Sequence, residues 1–327
     1  MAVRKHPSFR QFLADRGFFI VLALTFALFS VATDNFLSVG NVFGVIHSMT
    51  PLAVMSVGMA LVVMTGKIDI SVGSVAFLST SIGVIAMRDY GFGPLAACAL
   101  TLLVGVVCGA VNGVLVARFG VDPLITTLGS MIAFRGLGLQ LTNSVMLQLP
   151  EATRASGNIA VGPVYLDILF GALVIVGFHY LHTRRPFGRV LTAIGNDVVA
   201  ANKVGLPVDR VVFQSFVISG LMAAVAGTMT ALQLGAVTAF LGQGAEFNAL
   251  AVIVVGGISL TGGRGNLLVG IPLGAALFEF IRNGLTHLGA DPYSYRLVGG
   301  VVIFVAMYAD AIRTKLLASR RKLIIDG

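Results

Sequence analysis

The run Pro94-Leu95-Ala96-Ala97-Cys98-Ala99-Leu100-Thr101-Leu102-Leu103-Val104-Gly105-Val106-Val107-Cys108-Gly109-Ala110-Val111-Asn112-Gly113-Val114-Leu115-Val116-Ala117 contains no charged side chain and stops at Arg118. As a helix it rises about 36 Å, enough to cross a hydrocarbon layer about 30 Å thick. Runs of similar length recur on both sides of it. With 57% hydrophobic and 11% charged residues across 327 positions, the chain lies far from the balance of a soluble domain. The runs are too continuous for the in-out alternation of a barrel, and backbone polar groups in lipid must pair within their own segment. The reading is an all-α, polytopic membrane helix bundle forming one transmembrane domain over residues 1–327.

Spans fall at 18–34, 47–65, 70–87, 94–117, 123–141, 165–182, 211–234, 246–261, 267–286 and 295–312, about ten in all. An inside amino terminus places Lys67, Arg118, Arg184, Arg185, Arg189, Lys203, Arg210 and Arg264 on the cytoplasmic side. Arg4, Lys5, Arg10 and Arg16 join them, as do Arg313, Lys315, Arg320, Arg321 and Lys322. The positive-inside rule therefore puts both termini in the cytoplasm. The first run, with Ser30-Val31-Ala32 behind it, imitates a signal peptide, but the later spans make it a retained anchor. The net charge of +8 marks topology rather than nucleic-acid binding. Glycines 105, 109 and 113 share one helix face, where small side chains allow close approach within the bundle.

Chemistry is conspicuous by omission. No G-x-x-x-x-G-K-[ST], H-E-x-x-H or G-x-S-x-G occurs, so the chain has no P-loop, zinc-protease or serine-hydrolase motif. Any ATP must be used by a partner. Cys98 and Cys108 lie too far apart on one helix to bridge, and no metal or other cofactor is expected. Charged and polar groups at membrane depth are the remaining candidates for function. Asp69 or Ser71 can cap the third helix, or take part in gating. Asn112 can bond between helices or meet substrate, and Glu246, with Asn248 beside it, opens the eighth helix where a carboxylate suits the dipole. Glu279 and Arg282 are spaced to neutralise each other. The turns 66–73 and 256–263 resemble each other and hint at an internal repeat.

The one substantial polar connection runs from Thr183 to Arg210. Within it, 194–207 reads as a short helix: Asn196 or a neighbour caps it, Asp197 suits the first turn, Gly205 the left-handed stop, and Pro207 blocks continuation. Ala200, Ala201 and Val204 give it a small apolar face suited to a groove on another protein.

Gly188-Arg189, Ala193-Ile194-Gly195-Asn196, Ala200-Ala201 and Val204-Gly205 resemble the coupling segment of permease subunits of bacterial binding-protein-dependent ABC importers, in the ribose, xylose and galactose branch. The resemblance continues, in order, through Ile68-Asp69-Ile70-Ser71-Val72-Gly73-Ser74, Asn112-Gly113, 123–129, Ser219-Gly220-Leu221, 242–246, the glycines of 256–265 and Arg282-Asn283-Gly284. Lys67 stands where that family usually has a glycine, and Asn196-Asp197 replaces a Gly-Asn pair. The resemblance implies a non-enzymatic transport subunit in the bacterial inner membrane that moves a monosaccharide or small polyol. It implies two ABC ATPase subunits on the coupling loop, a second permease copy or paralogue, and a periplasmic or extracellular sugar-binding protein. A branched-chain amino-acid permease and an ion-coupled secondary transporter are the alternatives, the latter needing midplane carboxylates.

Overall fold

The computed structural model describes residues 22–260, 262–263, 265–291, 294–295, 297–302, 304–305 and 308. The basic amino terminus, Arg264 and the basic tail lie outside these, and with them the cytoplasmic placement of both termini.

Seven described helices are long and apolar enough to cross a membrane. They are α2 (Val39–Met64), α3 (Val72–Asp89), α4 (Pro94–Ala117), α5 (Pro123–Thr142), α7 (Leu166–Arg184), α10 (Val208–Leu234) and α12 (Leu267–His287). Two shorter apolar helices are α1, described over Leu22–Ala32, and α11 (Ala245–Val255). Between them lie α6 (Glu151–Arg154), α8 (Pro186–Asn196) and α9 (Val198–Lys203). Helix starts follow local chemistry. Pro94, Pro123 and Pro186 occupy the first turns of α4, α5 and α8, where a missing N–H costs nothing. Asp122 caps α5 and Asn266 caps α12 through side-chain oxygens.

The bundle is built around α10, which packs on α2, α3 and α4. Gly105 and Gly109 meet Gly220 and the Phe216 carbonyl so closely that a Cβ on either would collide with α10 backbone. The glycine face thus packs inside the bundle, as its spacing requires. Phe77, Phe216, Met59, Leu61, Ile253 and Ile271 fill the core, whereas α5 and α7 present most of their length outward.

The segment before α7 is not a plain loop. Strand β1 (Leu147–Gln148) pairs antiparallel with β4 (Ala236–Val237) after α10, and β2 (Ala160–Val161) pairs with β3 (Val164–Tyr165). The first pairing ties the two connections together beside the carboxyl end of α10.

Several spans differ from their sequence reading, the second beginning at Val39 rather than 47. The eighth does not run to 261. Helix α11 ends at Val255 after 11 residues because Gly256-Gly257 breaks it, Gly257 having φ 78°. At about 16 Å it is half a span. Helix α3 begins at Val72, after a turn in which Thr65, Asp69 and Ser71 are buried.

Candidate coupling and translocation sites

The polar connection holds two helices where the sequence suggested one. Leu191 and Ile194 turn α8 inward, and Gly195 nests against the Met64 carbonyl and Gly262-Gly263. The Gly263 amide donates to Met64 O at 3.0 Å, so the end of α8 is fastened to the end of α2 and to the turn after α11. Asn196 closes α8 and is no cap. Asp197, extended at φ −163°, caps α9 instead, its Oδ1 accepting from the Val199 and Ala200 amides at 2.9 Å each. Gly205, at φ 76°, takes the left-handed stop read from the sequence.

The apolar face of α9 also needs correction. Ala201 is buried against its own bundle at 3% exposure, and its carbonyl accepts from the Leu206 amide. The outward surface is Val199, Ala200 and Val204, the last 73% exposed, with Val198 beside them and Arg189 and Asn196 exposed on α8. Ala193 is half-buried and its carbonyl accepts from the Asp197 amide, joining the two helices.

Just behind this fastening, three residues singled out separately in the sequence form one array. Asp69 is 2% exposed, and Oδ1 accepts from the Ser71 amide at 3.0 Å and the Ser71 hydroxyl at 2.6 Å. The Ser219 hydroxyl on α10 donates to Oδ2 at 2.8 Å. Asn112 Nδ2 on α4 donates to Ser71 Oγ at 2.8 Å, and the Ser130 hydroxyl on α5 donates to Asn112 Oδ1 at 2.5 Å. Every donor in the array faces toward Asp69, so one carboxylate anchors the turn, α4, α5 and α10 together. Asp69 organises the turn, while Ser71 stands at the helix start with no capping bond of its own. Ser130 carries no signal in the sequence, and Ser219 enters it only within the Ser219-Gly220-Leu221 resemblance. Hydroxyls in apolar helices usually bond their own preceding turn, and nothing local marks the two that do otherwise.

The second constellation lies where α3 and α11 begin. Gly73 and Gly242 touch so closely that a Cβ on either would strike the carbonyl oxygen of the other, and Gly242 has φ 70°. The amino-terminal ends of α3 and of the half-span α11 therefore meet inside the bundle. Glu246, in the first turn of α11, is 8% exposed; its Oε2 rests against Gly73 and has no hydrogen-bond partner. Arg135 of α5 stands nearby. Its Nη1 donates to Leu241 O at 2.8 Å and Ala239 O at 3.5 Å, and its guanidinium lies over the Phe77 ring at 4.8 Å. Asn248 is half-buried one turn along α11. The turn that Gly73 meets is thus 238–244, not the look-alike 256–263. Arg135, a lone charge inside an apolar run, was a signal that sequence reading left unused.

Glu279 and Arg282 pair as their spacing suggests, with Arg282 Nε donating to Glu279 Oε2 at 2.9 Å and Nη2 donating to Oε1. Among the described residues no group of three or more His, Cys, Asp or Glu could hold a metal ion.

A bundle of apolar helices long enough to cross a membrane, with two short helices fastened to the ends of α2 and α11, is the architecture of a polytopic membrane protein. The protein belongs to the family described as branched-chain amino acid transport system / permease component, whose sequence model matches residues 41–307. It is 34% identical over 321 residues to the Escherichia coli K12 protein named probable ABC transporter permease protein YphD, covering 95% of each chain. It is 32% identical over 312 residues to the ribose import permease protein RbsC of the same organism, covering 92% of this chain and 95% of the relative. It is also 32% identical over 296 residues to the autoinducer 2 import system permease protein LsrC of Photorhabdus laumondii, covering 89% of this chain and 87% of the relative. The chain is therefore an ABC-type permease of the inner membrane.

Proposed function

We propose that the chain is the membrane-spanning subunit of an ATP-driven importer for a monosaccharide or related small polyol. It works as one domain over residues 1–327, paired with a second permease copy or paralogue. Two ABC ATPase subunits dock on α8 and α9, and a periplasmic or extracellular sugar-binding protein delivers the solute. The permease itself is not an enzyme; the ATPases hydrolyse the nucleotide.

The observation that carries this reading is the fastening of α8 at Gly195 to Met64 and Gly262-Gly263, beneath the outward surface of Val199, Ala200 and Val204. A partner pressing on that surface moves the ends of α2 and α11 directly. The Asp69 array then spreads the displacement to α4, α5 and α10, because its hydrogen bonds cross between those helices. The sugar class is supported by relatives named for ribose and autoinducer 2 import, and by the Ile68-to-Gly73 turn. The family description keeps branched-chain amino acids as the second reading.

Two measurements test this. Ala200→Glu places a charge on the outward face without touching the bundle, and should abolish co-purification of the ATPase and ATP-dependent uptake while the permease accumulates normally. Intact uptake in that variant would make the helix pair a solvated connection. Uptake of radiolabelled leucine, with none of D-ribose, D-xylose or D-galactose, would replace the sugar assignment by the amino-acid one.

A further inference from the structure

We propose that Phe240, Gln243 and Phe247, framed by Arg135, form a contact site for a monosaccharide in transit, at the depth where α3 and α11 begin. This rests on the importer reading above and gives that importer a specific station within the membrane.

Depth comes first. Helix α5 has 20 residues, so it rises about 30 Å and spans the hydrocarbon layer by itself, with Arg135 about 18 Å along it. Because Arg135 bonds the carbonyls of Ala239 and Leu241, the connection 238–244 lies at that same depth. Those two bonds bracket Phe240 and present it outward, 70% exposed, while Gln243 is exposed one turn on and Phe247 is 50% exposed on the first turn of α11. On α5, Ile132 is 69% exposed and a Cβ on Gly136 would find open space.

Lipid is a poor neighbour for this surface. An exposed carboxamide, a half-buried guanidinium and the irregular backbone of 238–244 are not tolerated against hydrocarbon; they belong beside water or protein. The occupant follows from the mixture of groups. Two aromatic rings offer flat apolar faces to the C–H side of a sugar ring. Gln243 both donates and accepts, and Arg135 donates, which suits hydroxyls that do the same. An amino acid would instead call for paired groups that compensate both its carboxylate and its ammonium. Contacts this few hold a sugar weakly, as a transit site must.

Single-cysteine variants test the proposal in the assembled transporter, in membrane vesicles, in a Cys98→Ala/Cys108→Ala background. Gln243→Cys and Phe247→Cys should react with a charged methanethiosulfonate at least about tenfold faster than Leu173→Cys on the outward face of α7, because thiolate forms only where water reaches it. D-ribose, D-xylose or D-galactose, whichever is imported, should slow the reaction severalfold during turnover. No reaction at either position would overturn the site. Reaction unaffected by an imported sugar would leave the importer standing and remove the sugar contact. Slowing by leucine alone would overturn the sugar chemistry here and the sugar reading with it.

Discussion

Asp69 and Glu246 are buried to nearly the same degree, at 2% and 8% exposure, at the starts of two broken helices, yet their surroundings are opposite. Asp69 is saturated: three donors reach it and two more stand in line behind them. Glu246 leaves one oxygen unpartnered against Gly73. A satisfied carboxylate holds helices in one arrangement, and an unsatisfied one is free to acquire a contact when the arrangement changes. The first belongs to the mechanical connection behind α8 and the second to the junction of α3 and α11. On the proposed reading, the contrast separates force transmission from the route of the solute.

The largest effect should come from destroying the junction itself. Gly242→Val would force a branched side chain into the Gly73 carbonyl at φ 70°, and should cost about 4 kcal/mol or more. The measurable outcome is loss of monodisperse permease after detergent extraction; normal yield would mean that α3 and α11 do not meet there.

Next is Ala201→Glu against Ala200→Glu. The buried position should cost about 3 kcal/mol through a stranded charge, whereas the exposed one should leave thermal stability within about 0.5 kcal/mol of the parent. Comparing melting midpoints of the two purified variants decides which alanine faces the bundle, and equal midpoints would reverse the assignment.

The carboxylates themselves come third. Asp69→Asn turns one acceptor oxygen into a donor that opposes a serine hydroxyl, at about 2 kcal/mol, while Glu246→Gln changes a carboxylate whose Oε2 has no hydrogen bond to lose. Asp69→Asn should therefore lower permease stability and uptake together. Glu246→Gln should leave stability unchanged and alter only the uptake rate at saturating ATP. If both variants lose equal stability, the contrast between the two sites fails.

Smallest is Glu279→Gln, which keeps a hydrogen bond to Arg282 and should cost about 1 kcal/mol or less, with uptake per folded permease nearly unchanged. A larger loss than that of Asp69→Asn would move the mechanical centre to α12.

Much of this molecule is local and was legible in the sequence. Apolar length is a property of a segment alone, so the span 94–117 coincides with α4, and the stop at Gly205 was readable from residue type. The pairing of Glu279 with Arg282 followed from helical spacing. Which side of a membrane helix faces protein is another matter, because lipid and core are both apolar and periodicity gives no inward direction. Ala201, on the six-residue α9 of the polar connection, is buried although its apolar neighbours point outward, and in the spans Asp69 meets Ser219 from 150 residues away and Ser130 joins through Asn112. The sequence by itself determined a membrane bundle, most of its spans and a helical polar connection, since hydrophobicity, caps and breakers act within a few residues. Only the tertiary structure decided that scattered polar residues form one array, that α3 and α11 begin at a shared glycine contact, and that Oε2 of Glu246 is left unpartnered, because those outcomes depend on which distant backbones are brought within a few ångströms.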